Sequence, residues 1–269
     1  MNLMRSGAIV AIAGLSCAAT SHASVLDWGS GWTNSDPDGT FQDGAATNST
    51  VVDGITINTT FQTFGSATGD HNFLPDSPGT ATDFNGDQAD DDPALSIGDS
   101  QSFNLGNAFD NFVLLTIEFS QAVSIERLTI GDNDISSGNA WQDVTTVLGS
   151  NGGSGVGVTY DPTVGPAFEL RNYTFSDGSN TAPGLFGPGP VSFDGITGTS
   201  NASNDGTDGQ FDVDFGGLVD TINIIYFNGP DSNDDRFRGI YIQDIEFIPT
   251  PGAAALLGVA GLAALRRKR

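Results

Sequence analysis

Residues Gln210 to Phe215 alternate without a break. Phe211, Val213 and Phe215 fall on one parity, Asp212 and Asp214 on the other. Successive side chains of a strand point to opposite faces, so this stretch has one apolar and one charged face and reads as a half-buried β-strand. The rest of the chain follows the same pattern more loosely. Its apolar runs are short, rich in Val, Ile, Phe and Thr, and separated by Gly, Asn and Asp. Gly makes up 36 of the 269 residues, while Lys, Glu and Leu are scarce. Good helix formers are therefore missing outside the two ends. The expected fold is all-β: a single antiparallel β-sandwich over residues 24–248, with a signal helix before it and a transmembrane helix after it.

Further strands are expected along the chain. Val51 to Ile57 reads as strand, turn and strand or as one bulged strand, continued by Thr59 to Phe64. Gly69 to Asp99 reads as a long acidic loop. Phe112–Phe119 and Val123–Ile130 read as a hairpin turning at Ser120-Gln121-Ala122, with a bulge at the phase change at Leu128. Asp143–Leu148 and Val156–Tyr160 flank a Gly-rich turn, and Phe168–Phe175 follows. Thr221–Phe227 and Gly239–Ile248 close the set. In the last, Tyr241, Ile245 and Phe247 share one parity and Ile240 and Ile242 the other, so either a bulge lies near Gln243 or both faces are covered.

The two ends differ in kind from this domain. Residues 1–23 fit a secretory signal peptide: Arg5 in the n-region, an apolar stretch from Ala8 to Ala19, and Ser21-His22-Ala23 as a small-x-small cleavage site before Ser24. Cys17, the only cysteine, falls inside this leader. Gly14 stands where a lipobox needs Leu, so Cys17 reads as an h-region residue. At the other end, Pro249-Thr250-Pro251 precedes an apolar run from Ala253 to Leu265 and the cluster Arg266, Arg267, Lys268, Arg269. The run extends roughly 20 Å as a helix, short of a full bilayer core. The basic end would stay on the cytoplasmic side, leaving the domain on the far side.

This order of parts resembles the PEP-CTERM sorting signal of Gram-negative bacteria. Pro249 and Pro251 match the family's prolines, Thr250 replaces its Glu, and Arg266, Arg267 and Arg269 supply the basic end. The resemblance implies transient anchoring in the inner membrane, recognition and cleavage by an exosortase-type membrane enzyme, and a final place at the cell surface or outside the cell. No LPxTG motif is present, so a sortase signal of the Gram-positive kind has no support.

Between the ends the charge is lopsided. All 33 acidic residues lie in residues 24–249, opposed by Arg127, Arg171, Arg236 and Arg238 alone, a formal charge of −29 for that segment. Such a surface repels nucleic acid and anionic lipid, so neither is an expected partner of the domain. Asp dominates over Glu, 29 to four. That bias suits turns and oxygen-ligand metal loops. Asp83, Asn85, Asp87 and Asp91 stand at positions 1, 3, 5 and 9 of an EF-hand-like loop. Gln88 and Ala94 replace the Gly and Glu an EF-hand needs, so the expectation is an irregular Ca²⁺ loop, with a solvated acidic loop as the alternative. Asp132 and Asp134, and Asp231 and Asp234, are further candidates on strand-end loops, where ordinary turn chemistry is the alternative. The Ca²⁺ would be structural.

Catalysis has little to stand on. His71 is the only histidine beyond the leader, and there is no Cys nucleophile and no HExxH. Glu118, Glu126, Glu169 and Glu246 alternate with apolar residues and read as outward-facing surface positions. No catalytic residue is assigned.

The segments TIEFSQAVSIERLTIGDND, WQDVTTVLGSNG, TGTSNASNDG and VDTINIIYFNG followed by GIYIQDIEF resemble, as an ordered set over Phe112 to Phe247, a jelly-roll-like β-sandwich of exported bacterial surface proteins. That resemblance implies a non-catalytic extracellular module. The leading functional reading is a cell-surface or matrix structural and adhesion protein, with extracellular polysaccharide as a partner. One alternative is a carbohydrate-binding module using Trp28, Trp32, Trp141 or Tyr241 as stacking platforms. The other is a secreted polysaccharide-degrading enzyme, which would need two carboxylates facing across a cleft.

Overall fold

The computed structural model describes residues 22–28, 32, 47–64, 69–74, 94–99, 112–131, 133, 135, 142–162, 168–175, 191–199, 209–229 and 238–250. Residues 1–21 and 251–269, where a leader and a tail are expected, lie outside them. Among the described residues sixteen strands form: β1 Ser24–Leu26, β2 Thr47–Val52, β3 Ile55–Phe64, β4 Gly69–Leu74, β5 Ala94–Asp99, β6 Phe112–Arg127, β7 Thr129–Gly131, β8 Asp143–Asn151, β9 Ser154–Val156, β10 Val158–Pro162, β11 Phe168–Phe175, β12 Val191–Gly198, β13 Phe211–Phe215, β14 Val219–Asn228, β15 Arg238–Gln243 and β16 Ile245–Pro249.

They form two antiparallel sheets. The larger runs β1-β16-β6-β14-β8-β12-β11, with β3 also on β6, β2 on β3 and β9 on β8; the smaller runs β10-β13-β7-β15-β5-β4. β3 pairs with the first half of β6 and β16 with the second half. Inward side chains of both sheets share one apolar core. Val113, Leu115, Ile117 and Phe119 of β6 and Ile222, Ile224 and Tyr226 of β14 meet Phe211 and Val213 of β13 and Ile240 and Ile242 of β15. A second cluster, including Phe112, Leu114, Ile225 and Phe227, uses the opposite parity of the same central strands. Burial of apolar area on this scale is the main stabilising term, at roughly 25 cal/mol per Å².

The structure corrects several local expectations. Ser120-Gln121-Ala122 is not a turn: β6 is one continuous strand of 16 residues. Phe119 and Val123 lie four apart and are both buried, but the register of β6 against β14 shifts between them, from Glu118 opposite Thr221 to Val123 opposite Val219. The bulge expected at the phase change at Leu128 lies at Glu126, where the register of β6 against β16 shifts between the pairs Ile125–Phe247 and Arg127–Glu246. At Leu128 itself the chain leaves the larger sheet and enters the smaller as β7. The phase change near Gln243 has the same cause, because β15 and β16 belong to different sheets. Gly149 to Gly155 is mostly strand, turning only at Gly152-Gly153, and Val156–Tyr160 divides between the sheets at Gly157. The acidic loop over residues 69–99 contains β4 and β5 at its ends. The Val51–Ile57 segment is a hairpin. Asp53 and Gly54 have φ of 50° and 80°, the two left-handed residues of a tight turn whose twist matches the strands.

Trp28 and Trp32 sit just after the edge strand β1 and are core residues, 0% and 4% exposed. They stack with centroids 5.5 Å apart. The Trp28 indole N–H donates to the Gln243 carbonyl at 3.1 Å, and its backbone N–H donates to the Asp244 carboxylate at 3.3 Å. Trp28 thus pins the point where the chain crosses from β15 to β16.

Candidate functional site: a cleft where the larger sheet splits

β12 pairs with β8 at only two positions, Ile196 with Thr145 and Thr197 with Val144. Beyond them β8 continues against β14 and β9, while β12 stays with β11 over eight pairs. The β11–β12 hairpin therefore diverges from β8, and a cleft of about 990 Å³ opens between them. One wall is the β8–β9 hairpin from Val147 to Val156. The other is formed by Phe168 to Leu170 and Ser192 to Asp194, and Val158 to Tyr160 of β10 make the floor.

Tyr160 ties the floor to the wall. Its hydroxyl accepts from the Val147 N–H at 3.0 Å and lies 3.3 Å from the Val147 carbonyl, to which it donates. These backbone groups lie on the stretch of β8 past its pairing with β12, so the phenol takes the place of a neighbouring strand. Burial pushes the Tyr160 phenol up to about 12, against a small lowering by the Val147 bond, and the Asp194 carboxylate adds to the rise. Asp194 is therefore within electrostatic reach of Tyr160. Asp194 accepts from the Asn172 side chain at 3.0 Å, and Thr146 donates to the Asp194 carbonyl at 3.2 Å. Phe168 and Tyr160 are half-buried, each edge-on to the ring of Phe211.

The cleft holds two carboxylates, but they do not face each other. Asn172 is opposite Asp194 in the β11–β12 ladder, so Glu169 has the other parity and points to the opposite face of the hairpin. There it pairs with Arg171. No lysine, arginine or histidine stands among the described residues that line the cleft.

No known protein family, curated protein or solved structure matches the chain.

The residues singled out from sequence fare differently. Trp28, Trp32 and Tyr241 are buried, and none offers a face to a sugar. Tyr241 lies across Gly131, and its hydroxyl accepts from Gln210 at 2.6 Å. Trp141 is outside the described residues. So are Asp83, Asn85, Asp87, Asp91, Asp132, Asp134, Asp231 and Asp234, along with Pro251, Arg266, Arg267 and Arg269. Among the described residues no three His, Cys, Asp or Glu side chains come together as metal ligands, and no helix is long and apolar enough to cross a membrane. His71 falls on β4. Asn133, between two of the candidate aspartates, is fully buried. Its side chain accepts from Thr145 at 2.8 Å and donates to the Ile196 carbonyl at 3.4 Å, which anchors that loop to β8 and β12. Glu118, Glu126 and Glu169 are exposed, as the alternation implies, and Glu246 is half-buried in an ion pair with Arg127 at 2.9 Å.

Pro249 ends β16. Thr250 donates its hydroxyl to the Ala122 carbonyl at 2.6 Å, and its own carbonyl accepts from the Gln121 side chain at 3.2 Å. Pro249 and Thr250 are therefore held against the middle of β6.

The cleft itself was not legible from sequence. β12 contains Gly195 and Asp194 and follows a Gly- and Pro-rich stretch, so it gives no strong strand signal. Its weak sign is the alternation of Ser192, Asp194 and Ile196 with Phe193.

Proposed function

We propose that the chain is an exported cell-surface or extracellular-matrix protein of structural and adhesive role, with extracellular polysaccharide as its matrix partner. The observation that carries this reading is how the fold fills the interval between the two terminal segments. β1 begins at Ser24, the first residue expected after leader cleavage, and pairs with the last strand, Ser24 opposite Phe247. β16 then ends at Pro249, the first residue of the sorting motif. Leader and tail thus flank a closed unit and leave it at adjacent strands. The repeated passage of the chain between the two sheets, from β12 to β13, β14, β15 and β16 in turn, supports the jelly-roll-like reading of the sandwich. The division of Glu169 and Asp194 between two faces of one hairpin speaks against the glycosidase alternative. Calcium in the acidic loops belongs to this proposal as a structural ion.

The sorting step has a direct test. Deleting residues 253–269 in a Gram-negative host that has an exosortase should abolish surface retention and the shift in mass that processing produces. Unchanged retention and mass would remove the sorting reading.

A further inference from the structure

We infer that the cleft between β8 and the β11–β12 hairpin binds a neutral oligosaccharide of a few hexose units. Tyr160 and Phe168 would serve as its apolar floor, and Ser192 and Asp194 as its polar contacts.

The size fits: about 990 Å³ is at the upper end of the range for small-ligand sites. The lining mixes the two kinds of surface a sugar has. Half-buried Tyr160 and Phe168, with Val158 and Val147, offer apolar area for the C–H faces of a pyranose. Ser192 can donate and accept, and the Asp194 carboxylate on the same face of β12 can accept from two neighbouring hydroxyls.

Charge selects within the sugars. Asp194 is the unneutralised carboxylate of the cleft, Glu169 being paired with Arg171, and no cationic side chain stands among the described residues that line it, on a chain of net charge −24. Uronates, sulfated glycans and phosphates would be repelled, whereas a neutral glycan carries no such penalty. An added peptide strand is the competing occupant for a split sheet. It needs unpaired backbone stations, and the Tyr160 hydroxyl already bonds both backbone groups of Val147.

This inference deepens the polysaccharide partner proposed above, but its test does not depend on export. Protein purified from expression of the full chain is screened on an array of neutral and acidic glycans, and hits are titrated by calorimetry. The expected hits are neutral hexose oligomers. Asp194→Ala should weaken binding at least about tenfold by removing the charged acceptor. Ser192→Trp should do the same by filling the cleft, because exposed Ser192 lines it and shares the face of β12 that carries Asp194. Val25→Thr, on the far edge strand β1, should bind like the parent. The inference is overturned if no neutral glycan binds, if acidic glycans bind equally well, or if both cleft variants bind like the parent. A failed localisation assay with intact glycan binding would remove only the export reading, and the reverse pattern only the cleft.

Discussion

The Tyr160 hydroxyl reaches from the smaller sheet to the larger and bonds both the amide and the carbonyl of Val147. Replacing it with Phe keeps the ring against Phe211 but leaves both backbone groups of Val147 without that partner. Tyr160→Phe should cost about 1–3 kcal/mol, read as a lower denaturation midpoint with an unchanged denaturant slope. The same residue makes stability pH-dependent at alkaline pH. The folded state holds the phenolic proton more tightly than the unfolded chain, with a pKa of about 12 against 10.0. Its contribution is complete below the unfolded value and is lost as pH rises through that window. The parent should lose stability between these two values more steeply than Tyr160→Phe, and parallel curves would mean that Tyr160 ionises as freely in the folded protein as in the unfolded chain.

At the level of elements, two of the points where the chain changes sheet, Leu128 and Asp244, interrupt a run of alternating residues. The sequence registered both as phase changes, but a phase change has several readings. A bulge, a turn and a change of sheet all shift parity by one, and only long-range pairing separates them. At Ser120-Gln121-Ala122 polar residues look like a turn, but the strand runs on through them with only a register shift against β14. Strict alternation in β13 was enough to place Phe211 and Val213 in the core and Asp212 and Asp214 outward, because one face of that strand is buried and the other is not. β12 was missed for the opposite reason. Its Gly195 is there for space, since a Cβ would sit 3.0–3.1 Å from Thr146, Tyr173 and Val144, and so the strand lacks a propensity signal. The cleft depends on where β12 leaves β8, a property of pairing that no local window contains. Gly131 in β7 follows the same logic as Gly195. It lies opposite Tyr241, whose ring occupies the space a side chain would need. Gly131→Ala should destabilise by roughly 1–3 kcal/mol through overpacking. Adding Tyr241→Ala should make the two effects clearly non-additive, because the second substitution removes the clash created by the first. Additive costs in thermal melts would show that the two positions are independent.

For the molecule as a whole, the dominant fact is a net charge of −24 on a fold with no disulfide to close it. Two of the four arginines between leader and tail are in ion pairs with Glu246 and Glu169. Carboxylates brought together by loop closure repel by about 1 kcal/mol per pair at 4 Å even in water, and by more where the dielectric is lower. Two agents can relieve this, and they predict different data. Monovalent salt screens all exposed charges alike, so a solvated acidic surface gains stability with ionic strength and does not distinguish Na⁺ from Ca²⁺ once ionic strength is matched. A bound Ca²⁺ with six to eight oxygen ligands acts at one place and by mass action. With Ca²⁺ at about a hundred times its dissociation constant, the gain is roughly 2.7 kcal/mol, or about 5–10 °C in midpoint for a domain of this size. We expect the melt in millimolar Ca²⁺ to exceed the melt in chelator by that order at constant ionic strength. Asp83→Ala, in the strongest candidate loop, should remove most of the difference, and Asp132→Ala or Asp231→Ala less of it. Equal midpoints in Ca²⁺ and chelator, with both rising alike in NaCl, would make these acids a screened surface and nothing more.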